Sequence, residues 1–131
     1  MKRLLISSLF LLSFLFTKAQ SKDTLSYKDF DKIPVLPGGV SGFDNYIHEN
    51  LKYPESARKN QIEGTLYVSF DVKPDGNTTN IKIVKGLSPD TDAEVLRLIK
   101  NLPKWAPAML NGHAIRFGYF KPIVFKLPTR N

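Results

Sequence analysis

The 131-residue chain contains no cysteine, which excludes disulfides, thiolate zinc sites and lipid attachment to an N-terminal cysteine. The core must therefore be stabilised without covalent cross-links. Histidine is almost as scarce: His48 and His113 are the only two, and neither has neighbours at a metal-ligand spacing. We interpret both as surface residues, and the sequence predicts neither a metal site nor a cofactor.

The sequence motifs of common enzyme classes are also absent. The chain has no serine-hydrolase elbow, no phosphate-binding loop and no zinc-protease motif. Gly38-Gly39 indicates a bend, because no strand-glycine-helix unit with a lysine follows it. Asp71 and Asp75 are close only in sequence, since Asp71 belongs to the polar face of a predicted strand and Asp75 to a turn. These absences predict that the protein is not an enzyme.

Positive charge is present but is spread along the chain. The formal net charge is +7, and Lys2, Arg3 and Lys18 lie in an N-terminal segment without acidic residues. The remainder has a mild basic bias of +4 and no run of lysine and arginine. A nucleic-acid surface needs clustered basic residues, so we predict no nucleic-acid partner.

The N-terminal segment carries the only long apolar run, thirteen residues over 4–16. Residues 1–19 have the pattern of a secretory signal peptide, with cleavage near 19/20 or 20/21. The alternative is an uncleaved anchor, but a membrane-spanning helix needs about 20 apolar residues. We predict export to the periplasm and no stable membrane span after cleavage. Residues 20–32 are polar and predict a flexible leader, with a short strand around residues 26–30.

The stretch from Tyr53 to Gly76 predicts a short helix followed by a half-buried strand. Pro54 favours a helix over residues 54–60, because proline is preorganised for the first helical position. From residue 64 to 74 apolar and polar residues alternate, as is typical of an antiparallel strand with one buried face. A Pro-Asp-Gly turn then leads into a second strand over 78–85. The apolar positions of the first strand are Leu66, Val68, Phe70 and Val72.

Two longer helices and a third strand complete the secondary-structure prediction. Ser41 begins the first helix, with Asp44 at the reciprocal position of a capping box. Ser88-Pro89 begins the other, because serine caps a helix and proline fits its first turn. An Asn-Gly turn signal at residues 111–112 precedes the strand. The helices are predicted over 42–51 and 89–101, and the strand over 114–127.

Pro122 lies inside this last strand, and proline cannot donate a hydrogen bond to a neighbouring strand. The strand is therefore predicted to lie at an edge of the sheet, with Pro122 on the unpaired side or at a bulge. Lys121 and Lys126 are the kind of residue that guards an edge against unwanted pairing. Such an edge permits a second copy of the chain, or a peptide, to pair with it.

The pattern YPxxAxxxxIEGxxxVxFxVxPDG, from Tyr53 to Gly76, resembles the start of the TonB C-terminal domain. That domain is the periplasmic module with which Gram-negative bacteria couple inner-membrane energy to outer-membrane receptors. The resemblance implies an α+β domain over 33–128, followed by a tail over 129–131. Its sheet is small, antiparallel and three-stranded, with two to three helices on one face. The likeness continues through Leu102–Trp105, Pro107-Ala108, Asn111-Gly112 and Val124–Leu127, and it extends upstream through Pro37-Gly38-Gly39.

The resemblance implies a protein-binding module of TonB-dependent transport. It would capture an extended, TonB-box-like peptide of an outer-membrane receptor or another envelope protein by β-strand addition. The matching positions are the last strand and the segment before the Tyr-Pro pair. They are Asn50, Leu51, Lys52, Tyr53, Phe117, Tyr119, Lys121, Ile123, Phe125 and Leu127.

The chain departs from the family pattern in three ways. Leu51-Lys52 stands where family members often carry polar amides, and Pro122 removes one backbone donor from the docking strand. A full TonB also has an uncleaved inner-membrane helix and a long Pro-rich spacer. The sequence predicts neither of these parts, so we expect a stand-alone TonB-like domain here. Retention of residues 4–16 as an anchor would instead favour energy transduction.

The alternative function is a structural or adaptor domain that binds the cell wall or an envelope machine without energy transduction. A groove exposing Tyr67, Trp105 and basic side chains together would favour this alternative. An open edge strand would favour peptide capture. Trp105 is otherwise expected to fill an edge of the core, with its N–H bonded to a backbone carbonyl.

Overall fold

A three-stranded antiparallel sheet with three helices forms most of the computed structural model, which describes residues 25–129. The predicted signal peptide and its cleavage site lie outside the described residues. The α+β prediction is confirmed. The helices are α1 (Gly42–Asn50), α2 (Glu55–Lys59) and α3 (Pro89–Lys100), and the strands are β1 (Gly64–Val72), β2 (Thr78–Lys85), β3 (Ala108–Leu110), β4 (His113–Ile115) and β5 (Phe117–Phe125).

Strand β1 lies at the centre of the main sheet, whose order is β2-β1-β5. Both neighbours pair with it in antiparallel orientation. The predicted alternation of buried and exposed side chains along β1 is confirmed, because Leu66, Val68, Phe70 and Val72 are fully buried. Phe70, one of these buried residues, packs against Phe43 of α1 and against Trp105. Helix α3 covers the same face with Val95 and Ile99.

The two long helices begin differently. Ser88 caps α3 as predicted: its Oγ accepts from the Thr91 N–H at 3.3 Å, and Thr91 Oγ1 accepts from the Ser88 N–H at 3.0 Å. The capping box predicted at Ser41 is wrong, because Ser41 makes no side-chain cap bond. Its backbone is already helical (φ −86°, ψ −2°), whereas a capping serine is extended. The Gly42 N–H instead donates to the Gly39 carbonyl at 2.9 Å.

The predicted last strand, 114–127, is divided at Arg116 into β4 and β5. β4 pairs with β3 in a separate hairpin, whose turn places Asn111 (φ +52°) and Gly112 (φ +79°) in the left-handed region. This conformation is favoured in two-residue hairpins, so the local pairing takes residues 113–115 away from the main sheet. The strand predicted around residues 26–30 is also wrong. A 3-10 turn occupies Tyr27–Asp29, and the Asp29 carboxylate accepts from the Ser26 N–H at 2.6 Å.

Within residues 25–129, no helix has the length and the apolar character that a membrane crossing requires.

Candidate functional site

The outer side of β5 is an open sheet edge in the described part of the chain. β5 pairs with β1 alone, from Gly64 opposite Phe125 to Val72 opposite Phe117, with no shift in register. The predicted edge position is therefore confirmed, and the unbroken register excludes the alternative of a bulge at Pro122. Proline fits an uninterrupted ladder only where its nitrogen faces away from the paired neighbour. We infer that Pro122 directs its backbone toward the open side.

This orientation determines which backbone groups a partner could reach. In an antiparallel strand the N–H and C=O of one residue point to the same side, and the side alternates along the strand. The residues that share the orientation of Pro122 are Gly118, Phe120 and Val124. The open edge therefore offers three N–H donors and four carbonyl acceptors, with one donor missing in the middle.

The predicted site residues of β5 place their side chains on the helix-covered face of the sheet. Ile123 and Phe125 are 2% and 1% exposed and belong to the core. Phe117, Tyr119 and Lys121 are half-buried. These five side chains hold the strand in place, so a partner at the edge would meet mainly its backbone.

Two side chains that the sequence analysis did not select flank the same edge on the helix-free face. Phe120 is 58% exposed and Val124 is 60% exposed. Phe120 stacks on Tyr67 of β1, with ring centroids 5.4 Å apart and planes 15° apart. The signal was present in the sequence, because apolar residues occupy the outward positions of this strand as well as the inward ones. They give the open edge an apolar border.

The predicted segment before the Tyr-Pro pair lies on the helix side, and three of its backbone groups are already bonded. The Leu51 N–H donates to the Ile47 carbonyl at 2.8 Å, and the Lys52 N–H donates to Glu94 Oε2 at 3.1 Å. Arg97 donates to the Asn50 carbonyl at 3.1 Å. This segment therefore does not present a second free edge.

Tyr53 connects that segment to β5. Its ring meets the Phe125 ring edge-on at 5.5 Å, and its hydroxyl donates to the Ile62 carbonyl. Burial raises the pKa of Tyr53, and the Glu63 carboxylate raises it further. Leu127 lies beyond the end of β5, where its N–H donates to Glu63 Oε1 at 2.8 Å. The structure thus brings Tyr53 and Leu127 to the C-terminal end of β5.

Glu94 holds the Asn50–Lys52 segment against α3. The carboxylate accepts from both Arg97 and the Lys52 N–H, and its side chain is only 8% exposed. We expect Glu94→Gln to lower the free energy of unfolding by about 1–2 kcal/mol, because an amide keeps the shape but leaves one partly buried donor without an acceptor. Urea unfolding monitored by circular dichroism measures the change.

Glu55→Gln is the matched control, since Glu55 forms an exposed pair with Lys59 at 3.3 Å. We expect Glu55→Gln to lower the free energy of unfolding by less than about 0.5 kcal/mol. Equal losses in the two variants would show that the buried carboxylate has no special role.

A cavity of about 100 Å³ lies beside β5, between this strand and the segment 33–40. Lys121 borders it, with its ammonium 5.2 Å from the Phe43 ring centroid and 4.5 Å from that of Tyr119. The Tyr119 hydroxyl donates to the Pro34 carbonyl at 2.5 Å and so ties the segment to the strand. Burial raises the pKa of Tyr119, so this bond is kept throughout the neutral range.

Trp105 fills the core beside this cavity, as predicted, and is 4% exposed. The predicted acceptor was wrong: Nε1–H donates to Thr78 Oγ1 at 3.0 Å and not to a backbone carbonyl. The first residue of β2 lies next to the indole and offers its hydroxyl there. Tyr67 lies on the opposite face of the sheet, so the exposed groove that would combine it with Trp105 is not formed.

The two histidines are exposed, His48 on α1 and His113 in β4. Among residues 25–129, no three side chains of the metal-ligating types lie together in a way that could hold a metal ion.

Comparison with known proteins identifies the family. A family model described as the Gram-negative bacterial TonB protein C-terminal matches residues 49–127. No curated protein matches the chain. Two solution structures of the Helicobacter pylori TonB C-terminal domain are similar to it. The structure of residues 179–285 is 25% identical, covers 66% of this chain and 78% of that one, and has a TM-score of 0.52. The structure of residues 194–285 is 27% identical, covers 67% of this chain and 92% of that one, and has a TM-score of 0.51.

The family match begins at Glu49. Most of α1 and the segment 33–40 beside the cavity therefore lie upstream of it. The match includes the whole main sheet and the open edge of β5. The chain belongs to the TonB C-terminal domain family, whose members are binding domains of an energy-transducing system of the Gram-negative envelope, and this membership implies a role in TonB-dependent transport.

Proposed function

We propose that the open edge of β5 captures an extended peptide of an outer-membrane TonB-dependent receptor, or of another envelope protein, as an added strand. The observation that carries the proposal is the edge itself: a nine-residue strand that, within residues 25–129, pairs with β1 alone. Strand addition draws its affinity mainly from main-chain hydrogen bonds, which an edge of this length supplies. Because Ile123 and Phe125 pack in the core, β5 is held in its extended conformation before a peptide binds.

The missing donor at Pro122 divides the docking edge into two parts. The Val124 N–H lies on one side of it, and the N–H groups of Gly118 and Phe120 lie on the other. A peptide strand would therefore make its main-chain bonds on either side of a gap. Side chains of the peptide that point to the helix-free face would pack against Phe120 and Val124.

A second copy of the chain is the competing occupant of the same edge. Lys126 is exposed just beyond the end of β5, and an exposed lysine at a sheet edge disfavours pairing between two copies. Sedimentation with and without peptide separates the two occupants, because peptide capture keeps one chain per particle.

The test is an NMR titration of isotope-labelled protein with peptides from the N-terminal segments of outer-membrane receptor plugs. Strand addition predicts saturable shifts concentrated at Gly118, Phe120 and Val124, with slower amide exchange at these positions. Amides of β2 should not move, because that strand is at the far side of the sheet. Absence of any shift at millimolar peptide would refute capture at this edge.

Val124→Pro tests the edge by removing one outward N–H. The residue is exposed, and β5 already accepts proline two positions earlier, so the pairing with β1 should survive. We expect peptide affinity to fall by about tenfold, since one peptide carbonyl loses its donor. Val124→Thr, which keeps the N–H, should bind like the parent. Pro122→Val restores the missing donor and should bind more tightly, and equal affinities for all four proteins would contradict the mechanism.

A further inference from the structure

The helix-free face of the main sheet carries an apolar strip that is exposed within the described part of the chain. Phe120 and Val124 of β5 are 58% and 60% exposed, and the Tyr67 ring stacks on Phe120. Pro122, opposite Tyr67 in the register, is also exposed. Alternate residues of a strand share a face, so these four side chains form one continuous surface, the outer strip. An exposed apolar surface of this kind marks contact with another protein or with a membrane.

Lys82 and Lys85 of β2, the outer lysines, lie on the same face beside the outer strip. Lys85 pairs with Tyr67 and Lys82 pairs with Ser69, and paired residues of antiparallel strands project to the same face. In a regular strand, residues three apart would project to opposite faces. The register shift between Tyr67 and Val68 inserts one extra residue into β2 and so returns Lys85 to the helix-free face. The bulge therefore aligns two cationic side chains along one side of the strip.

The charge of the outer lysines is not balanced by acidic groups of the same face. None of the ion pairs among residues 25–129 includes either lysine. The Asp71 carboxylate, which projects to this face, is already paired with Arg116 at 3.1 Å. At the other end of the face, Glu63 and Lys126 border one shallow hollow and offset each other in charge. The outer lysines are thus an excess of positive charge next to an apolar surface, which is complementary to an anionic partner.

The size of the face argues against a stable protein partner and for a lipid surface. A nine-residue strand is about 30 Å long and three strands span about 15 Å, which gives a footprint of about 450 Å². A stable protein interface covers about 800 Å² on each partner. A lipid surface has no such minimum, because apolar and charged contributions add residue by residue. Apolar side chains next to lysines are the combination that binds at a membrane interface.

We propose that the helix-free face docks on an anionic phospholipid bilayer, with the outer strip in the headgroup region and the outer lysines on lipid phosphates. The inference goes beyond peptide capture and does not rest on it. The two activities are compatible, because the backbone hydrogen bonds of a sheet run in its plane. In the docked protein, the open edge of β5 therefore points along the membrane surface and stays accessible to a peptide.

The first experiment measures binding to vesicles of phosphatidylethanolamine with phosphatidylglycerol, and to vesicles in which phosphatidylcholine replaces the phosphatidylglycerol. We expect the anionic vesicles to bind the protein more tightly, with a difference that shrinks as salt is raised. Lys82→Gln combined with Lys85→Gln should weaken this binding by about fivefold for each lysine. Lys100→Gln combined with Lys104→Gln removes the same charge from exposed positions on α3 and just after it, and should bind like the parent. All variants carry the same N-terminal segment, so its contribution cancels.

The second experiment identifies the face that meets the lipid. The chain contains no cysteine, so one introduced cysteine carries one environment-sensitive fluorophore. Val124→Cys places the fluorophore on the outer strip, and Ala93→Cys places it on the exposed side of α3. On addition of anionic vesicles, we expect a blue shift of the emission for the label at position 124 and none for the label at position 93. Equal shifts at both positions, or none at either, would contradict docking through this face.

The remaining outcomes separate this proposal from its alternatives. Equal binding to the two kinds of vesicle would overturn it, and so would equal losses in the two double-lysine variants, because net charge would then explain the effect. Self-association of the parent without vesicles, abolished by Phe120→Ala, would show that a second copy covers the face instead. Urea unfolding establishes that each variant is folded. Loss of vesicle binding with receptor-peptide binding retained would leave strand addition standing, since β2 is at the far side of the sheet from the open edge of β5.

Discussion

Gly76→Ala is expected to lower the free energy of unfolding by about 3 kcal/mol or more. Gly76 has φ +87°, and a Cβ at this position would overlap the carbonyl oxygen of Trp105. The obstacle is backbone and cannot rotate away. The same two residues are hydrogen-bonded, since the Trp105 N–H donates to the Gly76 carbonyl at 2.9 Å. Relief of the overlap would therefore break this bond or displace the buried indole, each costly in a packed core.

Gly112→Ala is the matched control for this substitution. Gly112 also has a positive φ, +79°, but a Cβ added there would have no neighbouring atom within 4 Å. Its expected cost is only the backbone strain, about 1 kcal/mol. Urea unfolding of the two variants measures the difference. Equal costs would mean that strain in the turn, and not the contact with Trp105, makes glycine necessary at position 76.

Phe70→Ala is expected to cost about 3–5 kcal/mol, which is a large share of the stability of a domain of this size. Phe70 is 1% exposed at the centre of β1. Its ring centroid lies 6.0 Å from that of Phe43 and 5.8 Å from those of Trp105 and Tyr119. Truncation removes apolar contacts on three sides and leaves a cavity that neighbouring rings cannot easily fill.

Phe120→Ala provides the comparison on the neighbouring strand. The same side chain is removed from the helix-free face, where Phe120 is largely exposed and stacks on Tyr67. We expect a loss of about 1 kcal/mol or less. Thermal and urea unfolding of both variants measure the contrast, and a similar loss from Phe120→Ala would show that the outer face contributes to the core.

The main sheet could be predicted because its sequence signals are local. The alternation from Leu66 to Val72 determined which face of β1 is buried, and Pro122 alone indicated an edge strand. The division of the last strand at Arg116 could not be predicted in the same way. It depends on competition between a local hairpin and pairing with β1, and Arg116 makes its ion pair with Asp71 of that distant strand at 3.1 Å.

The candidate site was predicted at the level of the strand but not of its chemistry. The alternating pattern identified Lys121 as part of the edge strand. The aromatic rings that surround its ammonium could be identified only from the fold. The ring of Phe43 and the segment bonded to Tyr119 come from far earlier in the chain. Likewise, Glu94 showed no sign in the sequence of its bonds to the Asn50–Lys52 segment, because those contacts join separate elements.

Trp105 gives the domain an intrinsic optical reporter. It is the only tryptophan of the chain, and it is both buried in the core and part of the lining of the cavity beside β5. Its emission should shift to longer wavelength when the core opens to water. Capture of a peptide at the open edge of β5, which borders this cavity, would alter the emission intensity of the folded protein without that shift, so one unlabelled chromophore distinguishes binding from unfolding.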